Sequence, residues 1–132
     1  MAKTNPKNLK YTKEHEWVKV EGEIVTMGIT DYAQELLTSL VFVELPKVGK
    51  KTEQTKTLAV VESVKSVSNV YAPVSGEVIE VNTSLTKKPE IVNEDAFGAG
   101  WIAKIIISNS KELDKLMDAD SYTKFCQKEE KH

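Results

Sequence analysis

The stretch "AVVESVKSVSNVYAPVSGEV", residues 59–78, holds a single lysine, Lys65, between two apolar runs. Residues 57–62 and 67–71 read as two strands joined by "SVKS". That places Lys65 at a hairpin tip with its amine in water. A loop lysine is ordinarily a solvated charge and nothing more. This one differs in its neighbour. Val64 is apolar at a tip where polar residues belong, and an apolar side chain displayed there is something for another molecule to read. Glu62 lies three residues before the lysine, Gly49 sixteen before it and Gly76 eleven after it. Glycine tolerates positive φ, so Gly49 and Gly76 suit tight turns bracketing the hairpin.

Few other residues carry chemistry. His15 lies between Glu14 and Glu16, but the only other histidine is His132, so no His-rich metal site exists and no metal is expected. Cys126 falls on the apolar stripe of a C-terminal helix and reads as a packed thiol. Trp17 and Trp101 read as core anchors, and Asp31 as a helix cap. The G-x-x-x-x-G-K, G-x-S-x-G and H-E-x-x-H motifs are all absent. With no catalytic constellation in view, the chain is not expected to be an enzyme.

The elements that position Lys65 are mostly strands. "WVKV" puts Val18 and Val20 on one face. "IVTMGI" aligns Val25, Met27 and Ile29, and "LVFVEL" aligns Val41, Val43 and Leu45. "TLAVVES" is apolar on both faces and predicts burial on both, while "GEVIEVN" and "WIAKIIIS" complete the set. Turn residues separate them at Glu21-Gly22, Pro46–Gly49, Pro73–Gly76 and Gly98–Gly100. "DYAQELLT" predicts a short helix capped by Asp31, with Tyr32, Leu36 and Leu37 inward. "SKELDKLM" predicts another, with Leu113, Leu116 and Met117 on one stripe, and "DSYTKFCQ" a third. Short strands with a short internal helix and C-terminal helices predict a mainly β fold, a sandwich or a flattened barrel with helices outside.

Length, at 132 residues, fits one domain over 1–132, with a core at about 11–108 and a helical extension at about 110–127. Net charge is −2 and arginine is absent, which argues against nucleic acid as a partner. The slight acidity suits docking to basic mouths on other proteins. A single cysteine fits a reducing compartment. Residues 1–13 contain four lysines, no acid and no apolar core, which does not read as a secretory signal. No apolar run nears the roughly 20 residues a bilayer requires. "CQKEEKH" reads as a solvated tail. A soluble interior protein is expected.

The chain resembles the H proteins of the glycine cleavage system, a family of lipoyl carriers. The resemblance runs from Tyr11 to Cys126 and rests on ordered blocks: "YTKEHEWV", "GITDYAQELL", "VFVELPKVG", "ESVKSVSNVYAPVSGEVIEVN", "PEIVN", "GAGWIAKI" and "YTKFC". It implies a lipoyl-domain-like barrel-sandwich hybrid, with lipoic acid on Lys65 as N6-lipoyllysine. Glu62, Val64, Gly49 and Gly76 are then the recognition positions around the attachment site. Biotin is the rival modification, but biotin carriers place methionines on both sides of the lysine, whereas Val64 and Ser66 flank it here.

The resemblance further implies a route. A pyridoxal-phosphate glycine decarboxylase loads an aminomethyl group onto the arm. An aminomethyltransferase passes it to tetrahydrofolate. A dihydrolipoamide dehydrogenase reoxidises the dithiol, and a lipoylating enzyme installs the arm. The loaded arm folds back into a cleft near "HEW", where Glu16, His15 and Asn69 are the docking candidates and Glu16 the one to bind the amine. A monomer is expected, in the cytoplasm if bacterial or in the mitochondrial matrix or a related organelle if eukaryotic. Three residues depart from the usual pattern. Asn69 replaces an Asp, Ser66 replaces an Ala, and "LLTSL" replaces a Gly-acid pair after the first helix. A lipoyl-relay or regulatory paralogue stands as the alternative reading.

Overall fold

Alternation of apolar residues with a period of two builds two antiparallel sheets that close their inner faces on each other. The computed structural model describes residues 5–130. The larger sheet has the order β1 (Lys10–Tyr11), β2 (Glu16–Glu21), β3 (Ile24–Ile29), β9 (Ala103–Ile107), β8 (Gly76–Val81), β5 (Lys51–Thr52), with α1 (Asp31–Leu37) following β3. The smaller sheet contains β4 (Leu40–Glu44), β6 (Thr57–Ser63) and β7 (Val67–Tyr71), in the order β4-β6-β7. The larger sheet is completed by β5 (Lys51–Thr52), β8 (Gly76–Val81) and, after the short helices α2 (Ser84–Lys87) and α3 (Ile91–Glu94), β9 (Ala103–Ile107). The mainly β architecture with outer helices is as expected, and the two sheets do not close into a continuous barrel.

The main core holds Val18, Val25, Met27, Val61, Val70 and Ile105, all 1% exposed or less. A second, aromatic cluster lies beside it. Tyr11 stacks on Tyr122 at 4.6 Å between ring centroids, and Trp17 donates its indole N–H to the Ala96 carbonyl at 2.9 Å. Gly28 makes room for that indole: a β-carbon there would sit 2.9 Å from the Trp17 nitrogen. The cluster ties the start of the chain to α4 (Ala119–Glu130), and Tyr11 and Met117 exchange both backbone hydrogen bonds at 2.8 Å.

Several expectations are corrected. Val41 does not align with Val43. A bulge between Leu40 and Phe42 turns Val41 and Phe42 outward together, while Leu40 and Val43 stay buried. β6 is covered on one face only, with Val60 and Glu62 half-buried on the other. In β2, Val18 is buried but Val20 is exposed, because the strand runs out past the edge of the core. Thr30, not Asp31, caps α1, its hydroxyl accepting the Ala33 N–H. Leu36 on that helix faces solvent, and its buried residue is Gln34. Residues 110–115 form a 3₁₀ helix in place of the α-helix expected, held by the Glu112 carboxylate, which accepts both the N–H and the hydroxyl of Ser75 at 2.7 Å. α4 continues to Glu130 through most of the stretch that reads as a solvated tail. His132 lies outside the described residues.

The turn after α1 carries strain. Thr38 sits at φ 68°, ψ −151°, a region open essentially to glycine alone. This is the "LLTSL" departure, with a β-branched residue where glycine belongs. Relief of strain worth about 1–3 kcal/mol exceeds the roughly 0.5–1 kcal/mol that glycine costs through the unfolded chain. Thr38→Gly is therefore expected to stabilise the protein by about 1 kcal/mol. Urea denaturation checks this, and an unchanged or lowered midpoint would show that the Thr38 hydroxyl bond to the Leu37 carbonyl offsets the strain.

Candidate functional site

Lys65 occupies the tip that the strand pattern predicts. β6 and β7 pair from Thr57↔Tyr71 to Glu62↔Val67, leaving Val64, Lys65 and Ser66 as the turn. The turn is held by a residue the sequence reading did not single out. The Ser63 hydroxyl, buried at the end of β6, accepts the N–H of Lys65 at 3.3 Å and of Ser66 at 3.1 Å, while the Ser63 N–H donates to the Ser66 carbonyl at 2.8 Å. A serine bonding its own turn two and three residues on is a known local device, so "ES-VKS" did contain the signal. The Val64 N–H donates to the Ser39 carbonyl, fastening the tip to the turn after α1. Val64 itself is 71% exposed. The Lys65 amine is in solvent and has no side-chain partner among the described residues.

Glu62 lies on the outer face of β6, opposite Val67. Gly49 and Gly76 are elsewhere. The Gly49 N–H donates to Val78 at 2.7 Å, and Gly76 pairs with Thr52 on the larger sheet, beyond the base of the hairpin. Gly76 is required by close packing, since a β-carbon there would lie 2.0 Å from the Ile106 carbonyl oxygen. Those two glycines thus shape the larger sheet, not the smaller one that carries the hairpin, and do not touch its tip.

Near the base of the hairpin is a cleft of about 350 Å³. Its walls come from three places: residues 11–14 with Glu16, residues 71–73 with Gln54 and Thr55, and residues 115–117. Glu16 is at its edge and only 2% exposed. One carboxylate oxygen accepts the Thr12 hydroxyl at 2.5 Å, and the other accepts the Tyr71 N–H at 3.0 Å. The Thr12 hydroxyl also accepts the Glu16 N–H. Burial raises the Glu16 carboxyl to a pKa of about 7, with the two hydrogen bonds working in the opposite direction. Tyr71 was not legible as a partner, because its contact forms only when β2 and β7 meet, whereas Thr12 bonds Glu16 across four residues in the turn before β2.

His15 does not face the cleft. It adopts φ 72°, and its ring turns toward α4, with one nitrogen 2.8 Å from the Tyr122 hydroxyl and the other 2.8 Å from Glu129. Burial lowers its pKa against the raising influence of Glu129. Asn69 is exposed on the outer face of β7, two residues from Tyr71 and outside the cleft lining. β7 spans roughly 13 Å at 3.3 Å per residue. Val67 and Asn69 therefore stand on that outer face between the tip and Tyr71, whose N–H meets Glu16. Among the described residues, no group of three His, Cys, Asp or Glu side chains is placed to hold a metal. No helix there is long and apolar enough to cross a membrane.

Comparison with known proteins gives a consistent result. A family model described as "Glycine cleavage H-protein" matches residues 9–129. The chain is 54% identical over 120 residues to the glycine cleavage system H protein of Symbiobacterium thermophilum, covering 91% of this chain and 94% of that one. It is 50% identical over 124 residues to the mitochondrial glycine cleavage system H protein 2 of Arabidopsis thaliana, covering 94% and 80%. A crystal structure of a glycine cleavage system H protein from Mycobacterium marinum superposes with a TM-score of 0.80 at 35% identity, covering 89% of this chain and 95% of that one.

Proposed function

Since the chain belongs to the glycine cleavage H-protein family, we propose that Lys65 is its point of lipoyl attachment and that the Glu16 cleft shelters the arm between enzymes. The protein is a carrier component of the glycine cleavage system and not itself a catalyst. It conveys the aminomethyl group of glycine. In this reading, residues 11–108 form the carrier core, and residues 110–127 add a wall to the cleft.

The observation that supports Lys65 is the pairing of an unencumbered amine with a rigid tip. The Ser63 hydroxyl holds the turn, so the stem projects without help from the lysine itself. A modifying enzyme can then reach the amine with the fold intact. Lipoamide, once attached, supplies the disulfide that takes up and releases the cargo. The chain's own residues do the rest. Tyr71 and Thr12 hold the Glu16 carboxylate at the cleft, where it accepts charge-assisted hydrogen bonds from the cargo's ammonium. The walls limit the access of water. Tethering raises the effective concentration of the arm at each enzyme in turn.

The partners in this reading are the glycine decarboxylase, the aminomethyltransferase, the dihydrolipoamide dehydrogenase and the lipoylating enzyme. The compartment follows theirs: cytoplasm in a bacterium, mitochondrial matrix in a eukaryote. The test is peptide mapping after incubation with a lipoylating enzyme, lipoate and ATP. One added lipoyl mass, on the peptide containing Lys65, is expected. Reconstitution with the other components then separates carrier from relay, since a relay would accept the lipoyl group without supporting glycine cleavage.

A further inference from the structure

The outer face of the smaller sheet displays more apolar surface than its neighbours need. Phe42 on β4, Glu62 on β6 and Val67 on β7 stand in one cross-strand row. Glu44, Val60 and Asn69 stand in the next. Phe42 is 44% exposed and Val67 65% exposed, while Val41, at 55%, is turned outward beside Phe42 by the β4 bulge. A regular strand would have buried one member of that Val41–Phe42 pair. With Val64 at the tip, and with Glu62 between Phe42 and Val67, these side chains form a largely apolar strip with an acid inside it that runs up to Lys65. Contiguous exposed apolar surface with a polar rim marks a protein contact.

We infer that this strip is the contact through which the glycine decarboxylase seats the carrier, by an apolar socket bearing Lys or Arg at the mouth of its active site. The inference rests on Lys65 as the attachment site. The positive charge of the socket follows from the acids in the strip. Glu44 and Glu62 have no ion-pair partner among the described residues, so both are available to a cationic surface. The contact uses the face of the sheet and not its edge. The bulge interrupts regular pairing along β4, and the Leu40 N–H is already taken by the Asn93 side chain at 2.9 Å, so strand addition there is blocked. Position completes the case. A socket that grips Phe42 and Val67 holds the hairpin from the side and leaves the Lys65 stem pointing past it into the active site.

The test uses the unlipoylated protein, so that binding is read without turnover. Glycine decarboxylase from the same source is immobilised, and the dissociation constants of the parent, Phe42→Ser and Val67→Ser are measured at low and high ionic strength. Each variant is expected to bind about tenfold more weakly. Glu62→Gln is expected to lose most of the salt dependence shown by the parent. Ile106→Ser, on the larger sheet at 39% exposure, is the control and should bind like the parent. Thermal melts establish that each variant is folded.

Parent-like binding by both Phe42→Ser and Val67→Ser overturns the inference, as does a loss equalled by Ile106→Ser. Sedimentation in which Phe42→Ser abolishes a dimer of the parent, with decarboxylase binding unchanged, assigns the strip to a second copy and also overturns it. Peptide mapping of the lipoylated parent tells the two failures apart. Modification at Lys65 with no effect of Phe42→Ser rejects the strip alone. Modification elsewhere rejects the attachment site on which the strip depends.

Discussion

Lys65→Arg is expected to abolish carrier function completely and to leave the melting temperature within about two degrees of the parent. The side chain projects from a turn and has no partner among the described residues, so its replacement opens no cavity and strands no buried charge. Surface changes of that kind stay within about 0.5 kcal/mol. The turn itself is held by the Ser63 hydroxyl and the backbone, neither of which the substitution touches. Arginine keeps the charge, but its guanidinium stays protonated and cannot serve as the acyl acceptor. Intact-mass analysis after lipoylation, together with a thermal melt, reads both halves of the result. Any lipoyl group on another of the eighteen lysines, or glycine cleavage supported by the variant, would falsify the assignment.

Glu16→Gln should separate stability from function in the opposite sense. The glutamate titrates near 4.5 when exposed and near 7 in the fold, raised by burial. Between those values the folded protein holds a proton that the unfolded chain has released. Stability therefore falls as pH rises from about 4.5 to about 7. At pH 8 the ionised carboxylate is a standing cost of up to roughly 3 kcal/mol, which glutamine removes. The variant should melt higher than the parent at pH 8 and converge with it near pH 4.

The same substitution should weaken the cleft's hold on the cargo by roughly 1.5–3 kcal/mol, the worth of a charge-assisted hydrogen bond. That corresponds to about ten- to a hundredfold faster escape. In the parent, retention should decline as pH drops below 7 and the carboxylate takes up its proton. Decay of loaded carrier, followed by release of ammonia, measures both effects. A variant that protects its cargo as well as the parent, or that is less stable at pH 8, removes Glu16 from the role.

The hairpin was readable because its evidence is local. Strand alternation, a four-residue connection and an apolar tip all lie within residues 57–71, and the tip carries Lys65 as the pattern predicts. Glu16 was named from resemblance, and the structure adds its burial and its bond to the Tyr71 N–H, which depends on strands fifty-five residues apart. His15 misled because it sits in the bend before β2 at φ 72°, which turns its ring away from Glu16. Despite its adjacency to Glu16 in "HEW", it lies away from the cleft and against α4. The β4 bulge left no mark in "LVFVEL", whose first four residues are all apolar and fit either face. An inserted residue is decided by the partner strand, here β6, and that strand is out of view in a period-2 reading. The 3₁₀ helix was misread for a similar reason. Its form is set by Glu112 reaching back to Ser75, a contact that the spacing of Leu113, Leu116 and Met117 does not encode.

The division of the interior into two clusters has a bearing on descent. Lys65 stands on the smaller sheet, whose inner residues belong to the main core, whereas Tyr11, Trp17 and Tyr122 of the aromatic cluster stand behind the Glu16 cleft. Substitutions that do not share a contact act independently. Selection can therefore reach attachment and shelter separately. A lineage that kept the lysine but no longer ferried a fragile cargo would be held to the first cluster and released from the second. Drift in such a lineage would surface at the Tyr11–Tyr122 stack and at Glu16 long before it touched the hairpin. Here that stack is nearly parallel, with 6° between the rings, and Glu16 keeps both of its donors.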